Sequence, residues 1–156
     1  MTDSALPVVG WREWLSMPEL NIKQIKAKVD TGARTSALHA FYVDPFQHEG
    51  AEWVRFGIHP LQHNDEFEIE CEMPVKDRRM VSDSGGHCEE RYVIETILTL
   101  GNYSWPAELT LTNRDSMKFR MLLGRTALED RFLVNPAASY NIGKKTRKKR
   151  TRQDKA

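Results

Sequence analysis

A chain of 156 residues with 40% hydrophobic side chains suits about one domain with a single packed core, and no apolar run approaches the ~18 residues of a membrane span. Two cysteines, Cys71 and Cys88, are too few for a secreted disulfide framework, and MTDSALPVVGWREW lacks the basic-then-apolar order of a signal peptide, so a soluble cytoplasmic protein is expected. The net charge of +1 hides an asymmetry: residues 144–156 carry eight Lys/Arg and one Asp, whereas residues 1–143 carry 15 basic and 21 acidic side chains.

Strand patterns dominate in chain order. Residues 8–14 are short and rich in β-formers, and Pro18 interrupts the chain soon after. Residues 22–29 alternate imperfectly and run into Asp30-Thr31-Gly32. Residues 36–43 form the next strand, and residues 53–58 alternate more cleanly before Pro60. Residues 67–73 alternate almost perfectly, which predicts a strand with one wet face. Residues 82–87, Ser-Asp-Ser-Gly-Gly-His, form a turn-rich tip between two strand-like arms. Residues 92–100 and 105–112 are a further pair, joined by Gly101-Asn102, a strong hairpin signal. Residues 125–130 are the one short helix. Many short strands and one C-terminal helix predict an all-β domain over residues 1–143, a small closed or partly closed barrel. The basic residues 144–156 are expected to be a tail without fixed structure.

The loop after the second strand carries the chemistry. An apolar strand entering Asp30-Thr31-Gly32-Ala33 sets a carboxylate on a tight turn, where Gly32 permits close backbone approach and the Thr31 hydroxyl can brace the loop. One carboxylate does not make a peptidase, because activating water while protonating the leaving nitrogen takes two. Two close carboxylates share a proton and act together as base and acid. A chain with one Asp-Thr-Gly must therefore find its second aspartate in another copy of itself, across a two-fold axis. Taken alone the tripeptide is more often an ordinary turn.

A second segment strengthens the reading. Leu122-Leu123-Gly124-Arg125, about 90 residues downstream, resembles the apolar-apolar-Gly-Arg segment that precedes the C-terminal helix of retropepsins. The order Asp-Thr-Gly-Ala, glycine-tipped hairpin, Leu-Leu-Gly-Arg is the retropepsin order. With its flanks included, the sequence Lys28-Val29-Asp30-Thr31-Gly32-Ala33-Arg34-Thr35-Ser36-Ala37-Leu38-His39-Ala40 resembles a bacterial and archaeal family that carries the label ATP-dependent zinc protease. So do Ser84-Gly85-Gly86-His87 through Glu90-Arg91-Tyr92, and Leu123-Gly124-Arg125-Thr126. That family sits beside ATP-grasp enzymes that ligate glutamate to a ribosomal protein. The resemblance spans roughly residues 8–143. It implies a retropepsin-like fold, a homodimer, and hydrolysis of poly-α-glutamate tails. It also implies Asp30 as catalytic acid, Thr31 and Gly32 as its loop, and residues 79–92 as a flap.

The substrate can be approached from charge as well. Strand alternation places Lys28 on the face of Asp30, Arg34 follows four residues later, and Arg125 follows Gly124. These cations suggest a cleft for anions such as glutamate side chains. Arg79 and Arg91, with Arg78, could add to it at the flap base, and Ser84, Gly85 and Gly86 would meet the substrate at the tip. The plainer reading leaves Lys28 solvated and pairs Arg125 with Glu129 or Asp130.

Other chemistries find less support. There is no His-Glu-x-x-His; His48-Glu49-Gly50 is opposed as a helix by Pro45 and Gly50, and His87-Cys88-Glu89-Glu90, even with Cys71, lacks tetrahedral spacing. No phosphate-binding Gly-x-x-x-x-Gly-Lys-Ser/Thr occurs, so an ATP effect would belong to a partner. No metal or cofactor is therefore expected. Cys88 beside His87 is not a triad, Cys71 reads as structural, and His39 reads as a satisfied polar contact. The basic tail would contact RNA or the ribosome weakly, without sequence choice. The expected function is an aspartic peptidase trimming a glutamate-rich tail, with a ribosomal protein as substrate. The rival is a non-catalytic adaptor of the same fold that docks on the ribosome through the tail.

Overall fold

The computed structural model describes residues 5–60, 67–82, 85–113 and 119–144; Ser84 and tail residues 145–156 lie outside them. The chain begins with β1 (Val8–Val9) and β2 (Arg12–Met17), then a 3-10 turn at Pro18–Leu20 and β3 (Ile22–Asp30). Gly10 separates the first two strands. Its Cβ position is filled by the backbone of Ala138, and Trp11 N–H donates to Ala138 O at 2.8 Å. The expected single strand over 8–14 is therefore two, and the second runs on to Met17, where Pro18 sets the next turn.

β4 (Ser36–His39) and β5 (Tyr42–His48) replace the one strand expected over 36–43, because the chain leaves one sheet and enters another at Ala40-Phe41. β5 runs straight through Pro45. It is an edge strand paired only with β6 (Ala51–Ile58), so the missing N–H costs no ladder bond. Glu49 and Gly50, both at positive φ (51° and 80°), form the two-residue hairpin between them. His48-Glu49 thus sits on a turn, as opposition to a helix predicted. β7 (Ile69–Pro74) completes this three-stranded sheet, with Glu70 and Glu72 exposed on it.

The larger sheet adds β8 (Asp77–Ser82), β9 (Cys88–Leu100), β10 (Tyr103–Thr112) and β11 (Met121–Gly124), followed by α1 (Arg125–Leu128) and β12 (Leu133–Val134). Its order is β10-β4-β11-β3-β2-β9-β8, with β10 also paired to β9. Six strands therefore form a hydrogen-bonded circuit, with β8 attached outside it. The seam between β2 and β9 rests on one pair, Ser16 with Thr99. The expected small barrel is thus a sheet curled onto itself. The Gly101-Asn102 hairpin forms as expected, with Gly101 at φ 60°. The helix covers four residues, Arg125–Leu128, and so falls short of the expected span over 125–130.

Fully buried Ile25, Leu38, Ile94, Leu98, Leu109, Met121 and Leu123 fill the curl, and Val54, Phe56 and Ile58 of the smaller sheet continue the same core. Among the described residues no helix is long and apolar enough to cross a membrane. One acid is also fully buried: Glu13 accepts N–H bonds from Gly10 and Asn141 on Oε2 (2.6 and 2.9 Å) and from Ile142 and Gly143 on Oε1 (3.0 and 2.7 Å). It ties the C-terminal segment to β2.

Candidate active site

β3 ends on Asp30, and β11 lies parallel beside it with Gly124 opposite Asp30. This register brings the two signature segments together. Asp30 Oδ1 accepts the Gly32 N–H at 3.0 Å, and Ala33 N–H bonds back to Asp30 O at 3.1 Å, so the turn holds its own carboxylate. Gly124 must be glycine here: a Cβ would stand 2.6 Å from the Thr35 carbonyl carbon and 2.9 Å from Ser36 N. Its N–H donates to Ser36 Oγ at 2.9 Å.

The start of α1 fastens the far side of the loop. Arg125 N–H donates to Ala33 O at 2.8 Å and Thr126 N–H to Arg34 O at 3.1 Å, with Thr126 Oγ joining the latter at 2.8 Å. Thr31 is exposed. The bracing comes from Gly32 and Thr126 rather than from a Thr31 hydroxyl bond within the described residues. Thr126 carries no sequence signal of its own beyond its place directly after the Leu-Leu-Gly-Arg segment.

Asp30 opens onto a cleft of about 980 Å³, walled by the loop, by Arg125 and Thr126, and by β8. β8 and β9 pair antiparallel from Asp77 with Val93 to Ser82 with Cys88, which is the expected hairpin arm. Its tip residues Gly85 and Gly86 are exposed, with Gly86 at φ 85°. Met80, 66% exposed, faces the cleft from this arm and carries no sequence signal beyond alternation.

The cations divide into two groups. At the flap base each has a carboxylate. Arg79 pairs with Asp77 (2.8 Å) and Glu108 (2.7 Å), and Lys76 with Glu95 (2.8 Å) and Glu108 (3.2 Å). Arg78 pairs with Glu52, and Arg91 with Glu89 at 2.6 Å. Arg79 and Arg91 line the cleft, but their charge is largely satisfied there. Glu108 also lines it; hydrogen bonding to Arg79 and Lys76 holds its carboxyl below the ordinary range against the opposing effect of burial. Its sequence signal is a charged residue in an apolar strand, and it faces Glu95, a like-charge pair that needs a cation.

Around the loop the cations are exposed and, among the described residues, at most loosely paired. Arg34 lines the cleft, exposed, with no carboxylate in ion-pair range among the described residues. Arg125 lies 4.0 Å from Glu129 with both side chains well exposed, so the plainer pairing is present but loose. Lys28 is exposed two residues before Asp30 and outside the cleft's immediate lining, although Leu122, directly opposite it on β11, does line the cleft. His39 is buried on β4 and does not line it.

The described residues do not suit a metal. Among those described, no three His, Cys, Asp or Glu side chains gather to hold an ion. Cys71 is buried in β7, its thiol pushed up to about 12 by burial and by Glu70, and its Sγ lies 3.6 Å from Leu20 O. Cys88 is on another sheet, 2.9 Å from Ser82 Oγ.

A curled all-β sheet, an Asp-Thr-Gly turn clasped by a Leu-Leu-Gly-Arg segment and a hairpin over the cleft define the retropepsin-like class. The chain belongs to the RimB-like family: the family model described as "Retropepsin-like aspartic endopeptidase RimB" matches residues 8–145. It is 48% identical over 138 residues to a "Probable alpha-L-glutamate ligase" of Shewanella pealeana, covering 88% of this chain and 30% of that protein. It is 52% identical over 136 residues to one of the same name from Parasynechococcus marenigrum, covering 87% and 29%. The chain thus spans less than a third of these relatives. A Legionella pneumophila protein of unknown function has the same fold, with a TM-score of 0.72 at 24% identity over 87% of this chain and 98% of that one.

Proposed function

We propose that this chain is an aspartic-type peptidase that hydrolyses peptide bonds in glutamate-rich tails, with Asp30 from each of two copies forming the catalytic pair. The observation that carries the reading is the placement of Asp30. It is clasped by Gly32 and backed by Gly124, at the mouth of a cleft that the unpaired Arg34 also lines. One carboxylate takes a proton from a bound water as it attacks the scissile carbonyl, and its protonated partner donates to the carbonyl oxygen. When the tetrahedral diol collapses, the first carboxyl gives the proton it took from water to the leaving nitrogen, and the second recovers its proton from the diol hydroxyl. Closure of the β8–β9 hairpin would exclude bulk water.

Exposed Arg34 and Lys28, with Arg125 only loosely paired to Glu129, favour a substrate rich in carboxylates, and the glutamate-ligase names of the relatives agree with that chemistry. A ribosomal protein's glutamate tail is the proposed natural substrate, in the cytoplasm. Asp30→Asn is expected to reduce release of glutamate from oligoglutamate by at least about a thousandfold, with the sedimentation of the protein unchanged. Full activity of that variant would refute the peptidase. Chelator should leave turnover unchanged; loss of turnover on chelation would restore a metal mechanism.

A further inference from the structure

The seam between β2 and β9, which rests on the one pair Ser16 with Thr99, borders a shallow depression of about 310 Å³. Trp14, Ser16, Lys23, Thr99 and Lys144 help to line it. The lining includes no acidic side chain and shares no residue with the cleft at Asp30. Lys23 and Lys144 are exposed, and among the described residues neither has a carboxylate in ion-pair range. Beside the depression the Trp14 and Tyr140 rings stack at 27° with their centres 6.4 Å apart. The Arg12 guanidinium lies 4.8 Å from the Tyr140 ring centre and donates to Ser139 Oγ at 3.2 Å, again with no carboxylate partner among the described residues. Glu13 lies beneath this segment, but its carboxylate is spent on four backbone N–H groups. Cations and flat rings thus follow one another from Arg12 through Tyr140 and Trp14 to Lys23 and Lys144. Past Lys144 the sequence continues with residues 145–156, which carry seven Lys/Arg and one Asp.

We propose that this surface docks single-stranded RNA. Arg12, Lys23 and Lys144 take its phosphates, a base lies against the aromatic wall, and the basic residues after Lys144 extend the same contact. Charge complementarity selects a polyanion, because each cation set against a phosphate releases a condensed counterion. The rings select nucleic acid over an acidic peptide: every base has a flat face to stack, whereas a glutamate side chain has none. Contacts of this kind read no sequence, so binding is expected to be strong in low salt and indifferent to base order. The depression lies apart from the cleft, so the proposal stands independently of the peptidase reading.

The test is binding of labelled single-stranded RNA of about 12 nucleotides, followed by fluorescence anisotropy over a range of salt. The full-length protein carries Asp30→Asn throughout, so that an oligoglutamate competitor of about 12 residues is not consumed. Arg12→Gln, Lys23→Gln and Lys144→Gln together are expected to make the slope of log affinity against log salt shallower by roughly 2, at about 0.7 per phosphate contact. The same variant should bind at least about tenfold more weakly in about 0.1 M salt. Should a thermal melt show it misfolded, Lys23→Gln with Lys144→Gln, both at exposed positions, gives the same reading with a slope change of roughly 1.4. Oligoglutamate is expected to displace the RNA only at a higher concentration than unlabelled RNA does. Absence of RNA binding, or an unchanged affinity and slope in the folded variant, overturns the docking surface. Displacement by oligoglutamate at an equal or lower concentration than unlabelled RNA overturns it in favour of an acidic peptide.

Discussion

Glu13 shows how much one side chain can organise. Four backbone N–H groups converge on its carboxylate, one from Gly10 and three from residues 141–143. Glu13→Ala leaves these donors without an acceptor in a buried place, at about 1–3 kcal/mol each before relaxation. A loss of at least about 3 kcal/mol in urea unfolding is expected. Glu13→Gln should be nearly as damaging, because its amide nitrogen would face two donors; a variant within about 0.5 kcal/mol of the parent would refute this role. Nothing in the sequence points to Glu13, since three of its four donors lie far along the chain. Asp30 is legible for the opposite reason: Asp-Thr-Gly holds its own carboxylate through Gly32, and that geometry is local. Gly124 is legible through its motif, but its cause, the backbone of Thr35 and Ser36, appears only in the fold. Gly124→Ala is expected to cost about 1–3 kcal/mol and to lower kcat by displacing the loop, measured by unfolding and turnover together.

At the scale of elements, the β8–β9 hairpin is readable because a glycine-rich tip between alternating arms has few other structures. β5 is hidden because Pro45 reads as a breaker, and only its place at a sheet edge makes proline tolerable. The ion pairs that root the hairpin in β10 are not readable, since pairing depends on which strands adjoin. They give the hairpin a pH dependence. Glu108 is held below its ordinary range in the folded protein, so it stabilises the fold above the unfolded glutamate pKa of about 4.3. That contribution disappears as pH falls through the folded value. Melting temperature should therefore decline from about pH 5 toward about pH 3, and Glu108→Gln, already lower at about pH 6, should show a shallower decline. Equal pH profiles for the two proteins would contradict the assignment.

At the scale of the whole molecule, the acidic body and its basic clusters take on a pattern that composition conceals. Cations at the flap base serve the fold, and those around the loop, with Arg12 on β2, remain available to an anion. Each cation's position along the chain is plain from the sequence, but the division between the two groups depends on neighbours brought in by β9 and β10. The catalytic proposal places one further demand on the molecule: two copies must each bring Asp30 to one site. Mixing tests this most directly. Inactive Asp30→Asn protein is allowed to exchange subunits with unaltered protein, and oligoglutamate turnover is followed at constant total concentration. If the pair is shared, turnover follows the square of the unaltered fraction, so an equal mixture retains about a quarter of the activity. A linear fall, with about half retained, would mean that each chain works alone and would contradict the account.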